Sequence, residues 1–166
     1  MSRETIDAII AALRHERYRW TPVRRTYVPK KSGKWRPLGL PSWSETLLLE
    51  GIRVIWEAYD EPQCSDRSHG CRPHRGCHTA LRDVRRHGQA TKWFIEGELC
   101  ACFDRIEQAV LADILHERFH DNRFLRLRRG LLKAGYLEEW TFNATDSGVP
   151  QGGVVSPILS NIVLDR

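Results

Sequence analysis

The chain has 166 residues, which is the length of one average domain and enough to bury a hydrophobic core. Hydrophobic residues make up 41% and charged residues 28% of it, as is typical of a soluble globular protein. No apolar run approaches the length of a membrane span, and charged residues near the N-terminus argue against a signal peptide, so no membrane partner is expected.

The net charge is +5, from 26 lysines and arginines against 21 acidic residues. Arginine supplies most of the positive charge, which suits the recognition of phosphate groups. The five cysteines are odd in number and irregularly spaced, so a disulfide framework is not expected. A reducing, cytoplasmic location is predicted.

Helical periodicity predicts a first helix over residues 2–18, with one apolar face. The members of that face are Ile6, Ile9, Ile10 and Leu13. Residues 24–41 then predict a β-hairpin, since two extended runs flank the turn-forming stretch 31–34. Pro29 and Pro37 place both runs at sheet edges.

The hairpin is rich in positive charge. Its cationic side chains are Arg24, Arg25, Lys30, Lys31, Lys34 and Arg36. One interpretation is a solvated hairpin whose lysines prevent edge pairing. The other is a basic finger that grips phosphates. The sequence pattern alone leaves both open.

Ser42 and Glu45 match a capping box and predict a helix start. The expected core face of this helix is Leu48, Ile52, Ile55, Trp56 and Tyr59.

Residues 60–77 are rich in Cys, His and Arg, which suggests either a zinc site or an arginine-bearing loop. Zinc is disfavoured because the spacings match no close-paired ligand pattern such as C-x₂-C. A helix is predicted from about Cys77 to His87, with Ala80, Leu81 and Val84 inward.

Residues 91–99 predict a buried central strand that ends in Glu98 and Leu99. An acid at the end of such a strand requires a metal or a hydrogen-bond donor.

A helix over residues 106–119 should follow, with Ile106, Val110, Ile114 and Leu115 facing inward. Asp121 and Asn122 should cap the next helix, with Phe124, Leu127 and Leu131 buried and Arg126, Arg128 and Arg129 outward. Residues 136–142 predict one short strand.

The stretch 148–157 is a glycine-rich loop that leads into a helix start at Ser156 and Pro157. It is either an ordinary turn or a loop that presents backbone N–H groups and Gln151 to a polar partner. The apolar run after it, near the end of the sequence, favours a fragment of a longer protein.

Several motifs occur in one order along the chain. They are the basic hairpin with Pro29-Lys30-Lys31-x-Gly33-x-x-Arg36-Pro37-Leu38-Gly39, the loop Ser65-Asp66-x-Ser68-His69-Gly70-x-Arg72-Pro73, the strand ending in Glu98-Leu99, the pair Phe103-Asp104, and Gly148-x-Pro150-Gln151-Gly152-Gly153. This series resembles the reverse transcriptase domain of group II intron-encoded proteins, the reverse transcriptase/maturase family. The resemblance runs from about Arg24 to the end of the sequence.

The resemblance implies an α+β fold with the fingers and partial palm of a right-hand polymerase. Residues 1–90 would be the fingers region, with an N-terminal helix, the basic hairpin and the arginine loop. Residues 91–166 would be a partial palm with the first metal-binding strand and the glycine-rich loop. A small antiparallel sheet with packed helices is expected, and its apolar underside predicts dimerisation or aggregation.

The resemblance also implies residue roles. Glu98 occupies the position of a catalytic aspartate that binds Mg²⁺, and the backbone carbonyl of Leu99 would be a further metal ligand. Among the implied nucleotide-binding residues, Lys30 and Arg36 would bind the triphosphate, and Arg72 would support the same region or the template. Phe103 would screen the 2′-OH of the nucleotide. Gln151 and Gly152 would line the pocket beneath the nascent base pair. The implied partners are an RNA template, intron RNA, a DNA primer and dNTP.

Two departures from the family pattern affect these expectations. Glu98 is one methylene longer than aspartate, which disturbs the near-ideal octahedral geometry that Mg²⁺ demands. The family's Tyr-x-Asp-Asp motif would lie beyond the end of this sequence. Three interpretations follow: part of a polymerase completed by a companion chain with the rest of the palm and thumb, a non-catalytic module that binds intron RNA, or a degenerate product without activity.

Overall fold

The structure is a computed structural model that describes residues 2–149 and 153–166. Helices and a small sheet alternate along the chain, which confirms the α+β class. The helices are α1 (Arg3–Arg14), α2 (Trp43–Asp60), α3 (Cys77–His87), α4 (Cys102–Arg105), α5 (Gln108–Arg118), α6 (Asn122–Leu132) and α7 (Ser156–Leu164). Within the described ranges, none of the helices combines the length and the apolarity needed to cross a bilayer.

The strands are β1 (Val23–Pro29), β2 (Trp35–Leu40), β3 (Tyr136–Glu138) and β4 (Thr141–Asn143). They form one sheet in the order β2-β1-β3-β4. The sheet is mixed rather than wholly antiparallel as expected, because β1 and β3 run parallel. A parallel pair requires a long connection, and the helices α2 to α6 supply it.

The predicted single strand over residues 136–142 is a hairpin of two strands. Glu139 and Trp140 have φ angles of 49° and 66°, so the chain reverses there and β4 returns along β3. Tyr27 of β1 donates a hydrogen bond from its hydroxyl to Glu138 of β3, which ties the two hairpins together. This bond raises the pKa of Tyr27, because the neighbouring carboxylate favours the protonated phenol.

The hydrophobic core lies between α2, α5, α6 and α7. Its most deeply buried side chains are Trp56, Leu111, Leu115, Val155, Leu159 and Ile162. Trp56 meets Phe124 edge-on, with ring centroids 5.5 Å apart. The apolar run at 158–164 therefore packs into the core of this chain. Each fully buried side chain of this size contributes about 1.5–3 kcal/mol relative to exposure.

Two predicted helix starts are confirmed by their hydrogen bonds. At α2 the Ser42 hydroxyl accepts from the Glu45 N–H, and the Glu45 carboxylate accepts from the Ser42 N–H, as a capping box requires. Glu45 also accepts from the backbone and hydroxyl of Thr21, which anchors the chain before β1 to α2. At α6 the Asp121 carboxylate accepts from the first backbone N–H groups.

Several predicted helix faces are wrong. On α3, Leu81 and Val84 were expected inward but are exposed. On α2 and α5, the expected core residues Ile55, Tyr59 and Val110 are also exposed. Arg128 of α6 was expected outward but is only 5% exposed. Periodicity identifies the apolar side of a helix, but burial depends on whether another element covers that side.

Residues 91–99 do not form the predicted buried strand. They have no regular secondary structure and are exposed along their whole length. Trp93 is 85% exposed and Ile95 is 94% exposed. A strand is stabilised by backbone hydrogen bonds to a neighbouring strand and by packing of its faces. None of the four strands in the described chain pairs with this segment, so its β propensity is not realised here.

Candidate nucleic-acid interface

The tip of the β1–β2 hairpin presents positive charge to solvent. The strands pair Val28 with Arg36, and the turn is closed by a hydrogen bond from the Lys30 N–H to the Lys34 carbonyl at 2.7 Å. Gly33 has a φ of 77°, a conformation that glycine adopts without strain. Lys30 and Arg36 are exposed, and neither takes part in an ion pair within the described chain. Their charges are therefore available to an anion.

The base of the hairpin opens onto a cavity of about 370 Å³. Its walls come from β1 and β2, from the start of β3, and from the residues that precede the glycine-rich loop. Polar lining groups are Arg25, Asp104, Thr145, Asp146 and Ser147. The Arg25 guanidinium lies over the Tyr136 ring, 3.4 Å from its centroid, so stacking fixes the direction of this cation.

Two segments far apart in sequence meet at this cavity through backbone hydrogen bonds. The Gly148 N–H donates to the Ile106 carbonyl, and the Val149 N–H donates to the Phe103 carbonyl, both at 2.8 Å. Gln108 adds a side-chain bond to the Gly148 carbonyl at 3.1 Å. The start of the glycine-rich loop is thereby fixed against the turn that carries Phe103 and Asp104.

Gly148 is required at this junction for two reasons. Its φ is 79°, and a Cβ atom at this position would lie 2.8 Å from the Phe103 carbonyl oxygen and 2.9 Å from Asp104 backbone atoms. Both the conformation and the close approach exclude a side chain. Gln151 and Gly152, predicted to line the nucleotide pocket, lie outside the described residues, and their roles remain predictions.

Glu98 and Leu99, the predicted metal ligands, lie on the exposed segment and not in the lining of the cavity. Among the described residues, no group of three or more His, Cys, Asp or Glu side chains is arranged to hold a metal ion. The acids that do line the cavity, Asp104 and Asp146, come from other segments. The described part of the chain therefore does not assemble a magnesium site around Glu98.

Arg72, predicted to contact nucleotide or template, is buried within the loop before α3. Its guanidinium donates to the Glu61 carboxylate at 2.9 and 3.0 Å and to the Ser65 and Ser68 carbonyls at 2.5 and 2.9 Å. The hydrogen bond to Glu61 raises the pKa of Arg72. These partners hold the loop together in this structure, and a direct contact with nucleotide stays a prediction.

Phe103 is half-buried and packs against the core beside the loop junction. The structure thus brings Phe103 and the start of the glycine-rich loop together. It does not bring Lys30, Arg36, Arg72 or Glu98 into the lining of the same cavity.

The sequence patterns did not single out Arg25 or Tyr136 for this cavity. Arg25 was one of six cations on the hairpin, and Tyr136 was an ordinary strand residue. The contact between them depends on the parallel pairing of β1 with β3. The only available signal was the alternation of side chains along β1, which cannot identify the neighbouring strand.

Comparison with known proteins agrees with the order of these motifs. Residues 28–166 match the family described as reverse transcriptase (RNA-dependent DNA polymerase). The chain is 44% identical over 164 residues to the group II intron-encoded protein LtrA of Lactococcus lactis subsp. cremoris, covering 98% of this chain and 27% of that protein. It is 43% identical over 166 residues to the 91 kDa protein in the cob intron of Schizosaccharomyces pombe, covering 100% of this chain and 21% of that protein.

A solved structure, the partial Cas6-RT-Cas1–Cas2 complex, matches 99% of this chain and 29% of its own chain, with a TM-score of 0.62. The sequence identity is 16%, so this likeness concerns the fold alone. The chain spans about a quarter of the length of the curated relatives that it matches.

Proposed function

Since this chain belongs to the reverse transcriptase family and its relatives include group II intron-encoded proteins, we propose that it supplies the fingers and the first part of the palm of an RNA-directed DNA polymerase. Its task there is to hold the RNA template, the DNA primer and the incoming dNTP during template-directed nucleotidyl transfer. Intron RNA is the second proposed RNA partner.

The observation that best supports this proposal is the backbone junction between two family motifs. The turn with Phe103 and the loop that begins at Gly148 are distant in sequence, yet two hydrogen bonds of 2.8 Å join them. The junction borders a cavity whose other wall is the base of the basic hairpin. Such an arrangement suits a nucleotide, because its phosphates can meet the Arg25 guanidinium while its sugar and base meet the backbone and polar side chains of the junction.

Within this proposal, Lys30 and Arg36 bind the triphosphate of the incoming nucleotide. Both are exposed and without an ion-pair partner in the described chain, and an Arg fork matches phosphate oxygens well. Phe103 screens the 2′-OH, and Gln151 and Gly152 lie beneath the nascent base pair. Arg72 acts by holding its loop in place.

Reverse transcriptases generally use Mg²⁺, which stabilises the attacking and leaving oxygens of phosphoryl transfer. Glu98 stands at the position of the family's first metal-binding acid, and the described residues do not group two further possible metal ligands with it. We therefore propose that catalysis needs carboxylates from outside these residues, either from more of the same protein or from a companion chain.

A second candidate function is a non-catalytic module that binds intron RNA. The observation that favours it is Glu98, which stands where the family has the shorter aspartate. The longer side chain moves the carboxylate by about one methylene, and Mg²⁺ tolerates little departure from octahedral geometry. RNA binding through the hairpin needs no metal site and would survive this change.

Binding of a labelled RNA template annealed to a DNA primer tests the role of the hairpin. Replacement of Lys30 and Arg36 together by Gln should weaken binding about tenfold and flatten the dependence of log Kd on log salt, since phosphate contacts release counterions. The matched control is Arg85→Gln with Arg86→Gln, the same loss of charge on exposed positions of α3. Equal loss of binding in both double variants contradicts a specific role of the hairpin.

Primer extension with dNTP and Mg²⁺ tests catalysis. The chain alone should extend no primer, and addition of a chain that carries Tyr-x-Asp-Asp should restore extension. A Glu98→Asp variant in the same mixture should extend the primer faster than the unmodified chain does. Clear extension by the chain alone contradicts the proposed need for outside carboxylates, and RNA binding without extension in any mixture favours the non-catalytic module.

A further inference from the structure

Helix α6 buries a cation that has no acidic partner in the described chain. Arg128 is 5% exposed, and its Nη1 donates to the Leu111 carbonyl at 3.3 Å. Its Nε is buried and has no hydrogen-bond partner among the residues that the structure describes. Burial lowers the pKa of Arg128, and the neighbouring Arg129 lowers it further. Arginine nevertheless keeps its proton in proteins, so a charge that is unfavourable to bury stays in place.

Arg128 lines a groove of about 750 Å³ between α5 and α6. Positive side chains dominate the ionisable residues around this groove. The cations are Arg126, Arg128, Arg129 and Lys133, and the acids are Asp113 and Asp146, with His116 nearby. Arg126 is already paired with Glu16, whereas Arg128, Arg129 and Lys133 have no ion-pair partner among residues 2–149 and 153–166 and can attract an anion.

The shape of the groove indicates what kind of anion it fits. The groove volume is far larger than the volume of one inorganic anion, so an anionic group that belongs to a larger molecule is favoured. One wall of the groove, residues 144–146 with Leu132, also lines the cavity at the base of the β1–β2 hairpin. A chain with regularly spaced phosphates can follow this continuous surface from one site to the other.

We propose that the α5–α6 groove binds a backbone phosphate of a nucleic acid, with Arg128 as the buried anchor and Arg129 and Lys133 at the rim. A guanidinium binds phosphate oxygens through charge-assisted hydrogen bonds, and Arg128 has no acidic partner among the described residues. The phosphate compensates the charge that the fold buries. This inference adds a contact surface to the proposed function and rests on it only for the identity of the polymer.

The test uses the Nε–H resonances of the arginines in a nitrogen–proton correlation spectrum of the 166-residue chain. Arg128→Lys identifies the Arg128 signal by removing it. Titration with a short single-stranded RNA should shift this signal and the backbone amides of α5 and α6. Titration with inorganic phosphate alone forms the second arm, and the nucleic-acid assignment predicts a much weaker response there.

Affinity variants give an independent measure that does not disturb the buried side chain. Arg129→Gln with Lys133→Gln should weaken RNA binding about tenfold and reduce the slope of log Kd against log salt by about 1.4, which corresponds to two phosphate contacts on a single strand. Arg85→Gln with Arg86→Gln is the matched control, because it removes the same charge from exposed positions outside the groove. It should change the Kd less than about twofold.

Two results would overturn the inference while leaving the proposed function intact. In the first, RNA shifts the amides of β1 and β2 but not the Arg128 signal. In the second, the Arg128 signal responds to inorganic phosphate but not to RNA, which would make the groove a site for a free anion. Failure of RNA to shift either region would contradict both this inference and the proposed hairpin contact.

Discussion

The core between α2, α5, α6 and α7 buries its apolar side chains, whereas residues 88–101 leave apolar side chains of the same size in solvent. Leu159 in the core is 0% exposed, and Ile95 in the segment is 94% exposed. Both belong to strongly apolar runs. The difference arises from neighbours: α7 packs against α2, α4 and α5, whereas no described strand lies beside the segment.

This contrast separates what stabilises the chain from what the family uses for catalysis. The packed helices hold the hairpin base, the Phe103 turn and the start of the glycine-rich loop in one arrangement. Glu98 lies on the segment 91–99, whose residues are all exposed. Dimerisation or aggregation, which was expected from an apolar underside of the sheet, stays a prediction.

Replacement of single apolar side chains is the most direct way to break the comparison, and it has the largest expected effect. Leu159→Ala should lower the free energy of unfolding by about 3–5 kcal/mol, because it leaves a cavity in the core. Ile95→Ala should change that free energy by less than about 0.5 kcal/mol, since its side chain is already in water. Urea denaturation followed by circular dichroism measures both. A loss above about 1 kcal/mol for Ile95→Ala would show that the segment is packed in solution.

Two glycines sharpen the comparison at the level of the backbone. Gly148→Ala should lower the free energy of unfolding by about 2–4 kcal/mol, because it combines a left-handed conformation with a Cβ 2.8 Å from the Phe103 carbonyl oxygen. Gly51→Ala should raise that free energy by about 0.5–1 kcal/mol, since Gly51 is helical and nothing lies within 4 Å of the added atom. The same denaturation experiment measures both variants, and destabilisation of equal size would contradict the proposed junction.

The smallest expected effect concerns pH and the buried pair of Asp60 and Arg118, which meet at 3.0 Å. Burial raises the pKa of Asp60 above its ordinary value of 3.8, and Arg118 opposes this only partly. The native state therefore holds the Asp60 proton more tightly than the unfolded state does. Its contribution to stability is present below pH 3.8 and is lost as the pH rises through the native pKa.

Comparison with Asp60→Asn isolates this contribution. The free energy of unfolding of the wild type minus that of Asp60→Asn should fall as the pH rises from 3.8. Arg118→Met should make the fall steeper, because it removes the attraction that lowers the pKa. Thermal or urea unfolding over a pH series measures the difference. A rise with pH would mean that the attraction to Arg118 outweighs burial.

Local signals in the sequence predicted the local structure well. The capping box at Ser42, the cap at Asp121 and the helix that follows the glycine-rich loop all depend on residues within one turn of each other, and all are present. Predictions that required a partner from elsewhere were less successful. Arg128 was expected outward, yet it is only 5% exposed and donates a hydrogen bond to the Leu111 carbonyl of α5.

The candidate site shows the same division. The order of motifs identified the family, and the composition of the hairpin identified its charge. Neither identified the contact of Arg25 with Tyr136 or the junction of Gly148 with Phe103, since both join segments that are far apart along the chain. For residues 91–99 the predicted buried strand was wrong, because no strand in the described chain pairs with this segment.

By itself, the sequence determined the family, the capped starts of α2 and α6 and the positive charge of the hairpin, because these depend on the residues and on their nearest neighbours along the backbone. The tertiary structure alone decided which apolar faces are covered, which arginine is buried without an acid and which motifs meet. Burial and electrostatic environment are properties of surfaces brought together from distant segments, and short-range backbone preferences contain no information about which segments those will be.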